Sequence, residues 1–160
     1  MKLENYNATV EIVPPKTAEI TDFLDRAFDY LKDFKSFQNY MENVTGITEE
    51  EKDSEIYHTW EVFVEGVDLQ WKQKTVADAD SRAVRFRLVD GDLEMLEGAW
   101  IVGNDESRYT IQLQADFCLG MPVIEEVLGP VLREKLEINS YTMLNSIKEK
   151  LEEVTHDEKE

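Results

Sequence analysis

Polar side chains that interrupt apolar patterns are the residues of this chain that could do chemistry. His58 lies two residues before Trp60 on an apolar face, and Asn139 interrupts the apolar stripe of a predicted helix. A histidine with an ordinary pKa suits acid–base catalysis near neutrality, although a buried histidine is more often a hydrogen-bonded core residue. A buried amide needs a partner, so Asn139 is expected either to contact a ligand or to join a core network. Both interpretations of Asn139 stay open.

No nucleophile–base pair can be recognised from residue spacing. Cys118 ends an apolar strand pattern, which favours the role of a small inert hydrophobic residue. Any catalysis is therefore expected to come from holding a reactive ligand in one folded conformation. A polar group in the pocket would then polarise a carbonyl or move a proton. The candidates for that role are His58, Gln73, Tyr109 and Asn139.

The three tryptophans have two interpretations. Trp60, Trp71 and Trp100 all fall on the inward-facing parity of their predicted strands. Core packing is the expected role of at least one of them, because buried indoles contribute much of the apolar area of a core. The alternative is an aromatic wall for a flat or unsaturated ligand. Trp71 is the strongest candidate for that wall.

A period of two from Val44 to Phe117 predicts the strands that would carry these residues. Gly91-Asp92 stands between two extended runs, which indicates a hairpin. On the second run Leu96, Gly98 and Trp100 share a face, and a glycine beside a buried indole indicates close approach by another element. Short links between successive runs predict an antiparallel meander.

Helices are predicted before and after this meander in the sequence. A strand at 6–13 is followed by a helix with Thr17 as its N-cap and by a short helix over Phe34–Met41. A long amphipathic helix is expected from about Val123 to Val154, with a charged tail at 156–160 that frays.

This order of elements predicts one α+β domain over residues 1–160. About seven antiparallel strands would form a curved sheet around the long C-terminal helix, with the two short helices after the first strand. Where the long helix does not touch the sheet, a cavity would remain.

Charge and composition exclude several classes of function. No apolar run reaches the roughly 18 residues of a membrane helix. Two histidines and one cysteine, far apart in sequence, form no zinc pattern, and no phosphate loop is present, so neither metal nor cofactor is expected. The single cysteine cannot form an internal disulfide and no signal segment is recognised, so a cytoplasmic location is expected.

The chain is expected not to bind DNA or RNA at physiological salt. Its 17 basic and 35 acidic residues give a net charge of −18, and the sequence has no basic patch. Nucleic-acid binding depends on cationic contacts with phosphates, which this charge opposes. A gel-shift assay checks the prediction, and salt-sensitive binding would contradict it.

Several local patterns resemble the START-like superfamily of helix-grip proteins, in particular its polyketide cyclase/dehydrase group. The order of elements agrees over nearly the whole chain. The local matches are Trp71, Val84-Arg85-Phe86, Gly91-Asp92, the segment Leu96-Glu97-Gly98-Ala99-Trp100, Asp116-Phe117, and the aromatic pair Phe37 and Tyr40. In this order the matches are more specific for the superfamily than for any one member.

The resemblance implies a hydrophobic ligand between the sheet and the long helix. It implies either a cyclase that folds a polyketide or a carrier of lipids or isoprenoid quinones. One departure concerns the cyclases, which often carry an arginine on the strand after the matching tryptophan. Here that stretch is Trp71-Lys72-Gln73-Lys74-Thr75, whose lysines face outward by parity.

Three hypotheses follow from these patterns: a cyclase or dehydratase, a non-enzymatic carrier, and an interaction protein whose cavity is filled by side chains. An open pocket with converging polar groups would favour the first, an apolar pocket the second, and a closed core the third. A polyketide synthase component or a second copy of the chain is the expected protein partner. The expected ligand-binding residues are Phe37, Tyr40, Trp60, Trp71, Phe86, Leu96, Trp100 and Met143.

Overall fold

A computed structural model describes residues 3–120 and 122–158, and the side chains of 3–120 and 125–152. The strands are β1 Glu4–Ile12, β2 Val44–Lys52, β3 Glu55–Val64, β4 Val67–Asp78, β5 Ala83–Gly91, β6 Met95–Asp105 and β7 Arg108–Cys118. The helices are α1 Ile20–Lys32, a 3₁₀ helix Phe34–Asn39, and α2 Pro122–Glu158.

All strands belong to one seven-stranded antiparallel sheet in the order β1-β7-β6-β5-β4-β3-β2. The predicted meander is therefore confirmed from β2 to β7, because each of these strands pairs with the next one in sequence. The first strand pairs with the last one, so β1 and β2 form the two edges. The helices α1 and α2 pack against one face of the sheet. This is the predicted helix-grip architecture.

The core lies between the concave face of the sheet and the two helices. Along β6 the inward parity places Leu96, Trp100 and Val102 in the core. In α2 the C-terminal half supplies the opposite wall, and Met143 and Leu144 are completely buried. The helix α2 packs over β1 and against α1, so it lies closer to the β1 edge of the sheet than to the β2 edge.

The beginning of α1 differs from the prediction. Thr17 is not the N-cap, because the backbone N–H of Ala18 donates to the Pro15 carbonyl at 3.1 Å and Thr17 lies inside that turn. The helix begins at Ile20, and its cap residue Glu19 has an extended backbone without a side-chain capping bond. At the other end of the chain α2 continues to Glu158, and residues 159 and 160 of the predicted frayed tail lie outside the described residues.

The hairpin at Gly91-Asp92 is confirmed and is anchored to β4. The backbone N–H of Asp92 donates to the Gln70 carbonyl, and the N–H of Gln70 donates to the Asp92 carboxylate, both at 2.8 Å. Gly91 has a φ of 128°, and a Cβ there would lie 2.8 Å from the Cβ of Trp71. A glycine is therefore required where the chain passes Trp71.

Candidate ligand-binding cavity

A cavity of about 160 Å³ lies between the concave face of the sheet and the N-terminal half of α2. Its walls come from β2 to β7, and its lining is almost entirely apolar. The lining includes Trp60, Trp71, Phe86, Leu96 and Trp100, all five of which were expected to contact a ligand. The predicted gap between helix and sheet is therefore present, and aromatic side chains form much of its surface.

Two stacked indoles form one wall of the cavity. Trp60 of β3 and Trp71 of β4 are directly paired across the strands. Their ring centroids are 5.7 Å apart and their planes differ by 8°. Trp71 is half-buried, whereas Trp60 is buried, so Trp71 presents the more accessible ring. A flat aromatic surface of this kind suits a flat apolar ligand.

A second layer of aromatic rings supports this wall from behind. Phe37 of the 3₁₀ helix is buried and lies 5.1 Å from the Trp100 ring and 6.2 Å from the Trp60 ring. Phe34 packs against Phe37 at 4.6 Å. These edge and tilted contacts fix the orientation of the tryptophans. Phe37 thus stands behind the cavity wall and not on its surface.

The N-terminal half of α2 forms the roof. Leu132, Leu136 and Asn139 line the cavity at helical spacing, together with Lys135. The Asn139 amide is paired with the segment after the 3₁₀ helix. Its Oδ1 accepts from the backbone N–H of Glu42 at 3.1 Å, and its Nδ2 donates to Oδ1 of Asn43 at 3.2 Å. Two roles were predicted for Asn139, contact with a ligand and membership of a core network. The observed hydrogen bonds correspond to the network.

Gln73 is the polar residue most deeply placed in the cavity wall. It is 2% exposed and lines the cavity from β4. The indole Nε1 of Trp71 donates to Oε1 of Gln73 at 3.1 Å. The pairing of β4 with β5 shifts register between Lys72 and Gln73, and Val89 of β5 is left without a partner in that ladder. A bulge of this kind re-aims nearby side chains.

His58 lies beside the aromatic layer but is not among the residues that line the cavity. Its Nε2 is 3.0 Å from the Glu49 carboxylate and its Nδ1 is 2.8 Å from the Thr75 hydroxyl. A carboxylate only accepts, so Nε2–H donates to Glu49 and Thr75 donates to Nδ1. Burial lowers the pKa of His58, opposed in part by the Glu49 carboxylate, and the ring is held neutral with both nitrogens bonded.

Protonation of His58 is expected to cost stability as the pH falls. Because the pKa of His58 is lowered in the fold, the unfolded chain binds this proton first, starting near its ordinary pKa of about 6.5. The free energy of unfolding should therefore decrease from about pH 7.5 to about pH 5.5. Urea denaturation of the wild type and of His58→Gln at both pH values checks this, since the titration of carboxylates is common to both proteins. A stability difference that grows in favour of the wild type at lower pH would contradict the assignment.

The remaining candidate residues lie away from the cavity lining. Tyr109 is at the start of β7, half-buried against the core. Met143 of α2 lies one turn beyond Asn139, and its side chain is buried in the core. The Tyr40 ring is 4.5 Å from Nζ of Lys150, which ties the segment after the 3₁₀ helix to α2.

Some lining residues were not among the sequence candidates, notably Asn43, Leu93 and Leu119. They lie in or beside connections, where no periodicity indicates which way a side chain points. Lys135 and Leu136 sit on the same helical face as Asn139, and that spacing could have identified them.

The described residues show neither a metal site nor a reactive thiol. No group of three or more histidine, cysteine or acidic side chains in this part of the chain could hold a metal ion. Burial raises the pKa of the Cys118 thiol, whose Sγ donates to the Glu125 carboxylate at 3.5 Å. This favours the inert role for Cys118. Within residues 3–120 and 122–158, every helix is too short or too polar to cross a membrane.

Comparison with known proteins gives a family and a fold. The family model described as polyketide cyclase / dehydrase and lipid transport matches residues 24–142. The protein TTHA0849 from Thermus thermophilus superposes with a TM-score of 0.74 at 17% identity, over 94% of this chain and 99% of that one. The Zhui aromatase/cyclase from Streptomyces sp. R1128 superposes with a TM-score of 0.68 at 20% identity, over 94% of each chain.

A START superfamily protein from Mycobacterium smegmatis has a TM-score of 0.64 at 13% identity, over 94% of this chain and 98% of that one. The search of curated proteins gave no match. At these identities the structural similarities establish the fold alone.

Proposed function

The chain belongs to the polyketide cyclase / dehydrase and lipid transport family, and we propose that it binds a small, flat hydrophobic molecule of the aromatic or polyketide class. The cavity walled by the stacked indoles of Trp60 and Trp71 carries this proposal. An apolar cavity with a few polar groups is the usual form of a small-molecule site.

The size of the cavity favours a compact ligand. Its volume of about 160 Å³ is below the roughly 300–1,000 Å³ of sites for drug-sized molecules and close to the size of a cavity that admits benzene. One aromatic ring, or the ring-forming part of a longer chain, suits this space better than an entire isoprenoid or acyl chain. The space therefore supports a ring-sized ligand over the lipid or quinone of a carrier.

The polar groups of the cavity favour binding over acid–base catalysis. Its amides, Asn43, Gln73 and Asn139, do not titrate near neutrality, and His58 is outside the lining. Lys135, on the roof, is the ionisable group of the described lining. The absence of an arginine from Trp71-Lys72-Gln73-Lys74-Thr75 points the same way.

A cyclase remains the second candidate, supported by the similarity in fold to the Zhui aromatase/cyclase. On this proposal the protein would act by holding a polyketide in a conformation that favours ring closure. A polyketide synthase component would then be its partner, and a homodimer is the alternative assembly. Native mass spectrometry of the purified protein would reveal a co-purified ligand or a dimer.

The wild type is expected to bind 1-naphthylamine, an uncharged environment-sensitive dye of two fused rings, with saturable quenching of tryptophan fluorescence. All three tryptophans line the cavity, so a dye within it would accept their excitation energy. Leu136→Phe, which fills the roof, should weaken the binding. The matched control is Ile138→Phe on the exposed side of the same helix, which should leave binding unchanged. Unsaturable quenching, or equal behaviour of the two variants, would refute the proposal.

A further inference from the structure

The orientation of the Gln73 amide is fixed by its neighbour. An indole N–H can only donate, so the atom of Gln73 that faces Nε1 of Trp71 at 3.1 Å must be the amide oxygen. The amide nitrogen therefore points to the other side. Gln73 is only 2% exposed. A buried amide is held in one rotamer by the packing around it.

The amide nitrogen of Gln73 is a donor without an acceptor. Within the part of the chain that the structure describes, Nε2 of Gln73 makes no hydrogen bond, although the side chain lines the cavity. The other two amides of the lining, Asn43 and Asn139, are bonded to each other. The indole N–H of Trp60, diagonally across the β3–β4 pair from Gln73, also lacks a partner among the described residues. Among the described residues, this wall therefore presents two side-chain donors without a partner, Nε2 of Gln73 and Nε1 of Trp60.

We propose that the Gln73 amide selects ligands that carry an oxygen acceptor, such as an aryl ketone, over hydrocarbons of the same shape. This inference rests on the proposed function, because it assigns the ligand's polar group within the same cavity. Stacking on Trp71 would place the ring, and the N–H of Gln73 would donate to the carbonyl oxygen beside it. The Trp71–Gln73 bond makes Trp71 the residue that positions this donor.

A ligand without an acceptor leaves the buried N–H groups of Gln73 unpaired. A buried donor left unpaired costs free energy, whereas a ketone oxygen would satisfy it. Lys135 is the charged donor of the described lining, and it stands on the roof, half-buried and on a flexible stem, whereas Gln73 is fixed in the wall. The two donors therefore predict different effects of substitution.

The test compares acetophenone with α-methylstyrene, in which a CH₂ group replaces the ketone oxygen. Affinities are measured by displacement of 1-naphthylamine. We expect Gln73→Met to lower the preference for acetophenone about three- to tenfold. Lys135→Met should leave this preference unchanged. Comparing each variant with the wild type cancels the difference in hydration between the two probes.

Failure of the inference and failure of the proposed function give different results. If the dye binds and Gln73→Met changes both affinities equally, the donor role is overturned and the cavity remains a binding site. A loss of preference in Lys135→Met alone would also overturn it. If neither dye nor probe binds the wild type, both proposals fall. The NMR signals of the Gln73 side-chain amide in the wild type give a check that needs no variant: acetophenone should shift these proton signals downfield, and α-methylstyrene should not.

Discussion

Alanine in place of Trp71 is expected to weaken the binding of 1-naphthylamine by about tenfold or more, while the melting temperature falls by no more than about 5 °C. Trp71 is half-buried and its ring lines the cavity. One face is covered by the stacked ring of Trp60, and a bound ligand would cover much of the rest. Removal of the ring should therefore weaken ligand binding more than it lowers the stability of the fold.

Trp100 provides the matched control, because it lines the same cavity but is only 3% exposed and packs against Phe37. Trp100→Ala should cost about 3–5 kcal/mol of stability, as large-to-small changes in a core do. Thermal unfolding by circular dichroism and dye titration of both variants distinguish the two roles. If Trp71→Ala unfolds the protein, Trp71 is a core residue and the ligand hypothesis loses its main support.

The faces of the strands could be predicted from the sequence because successive side chains alternate. Trp60, Trp71 and Trp100 were all placed on the concave face by parity alone, and all three line the cavity. The parity also placed Lys72 and Lys74 on the outer face, where they pair with Glu50 and Glu55. The side chains of β4 keep their alternation between the two faces of the sheet, because the extra residue of the bulge belongs to β5.

The contacts of His58 could not be predicted in this way. The tautomer of its ring depends on Glu49, which accepts from Nε2–H and lies directly across the β2–β3 ladder. The register of that ladder includes an irregularity between Val44 and Gly46. The pattern of β2 is acidic and weak, so nothing in it determines the register. The sequence left His58 either catalytic or structural, and the cross-strand partner favours the structural role.

The depth of the cavity could not be predicted either. Which aromatic residues face it and which support it depends on how closely the 3₁₀ helix approaches the sheet. Phe37 and Tyr40 were expected to act as a pair, but Phe37 packs behind Trp100 and Tyr40 contacts Lys150. The angle between these elements is set by packing of rings from distant parts of the chain, which leaves no periodic signal.

Gly98→Ala is expected to destabilise the protein by about 3 kcal/mol, lowering the melting temperature by roughly 10 °C. Gly98 stands between Phe86 of β5 and Ala115 of β7 in the sheet. A Cβ there would collide with the Gln114 carbonyl and lie 2.9 Å from both Cα of Ala115 and the Phe86 ring. Two of these contacts are with backbone atoms, so the strands themselves would have to move.

Gly66→Ala is the control, because Gly66 has a φ of 80° and a Cβ there would meet no atom within 4 Å. Its cost should be that of the backbone conformation, about 1 kcal/mol. The Phe86 ring lines the cavity beside Gly98, so Gly98→Ala should also push this ring inward and weaken dye binding, whereas Gly66→Ala should not. Thermal unfolding and dye titration of both variants measure the two effects. Equal melting temperatures would mean that the sheet yields easily at Gly98, and the close approach of Phe86 would then not determine the shape of the cavity.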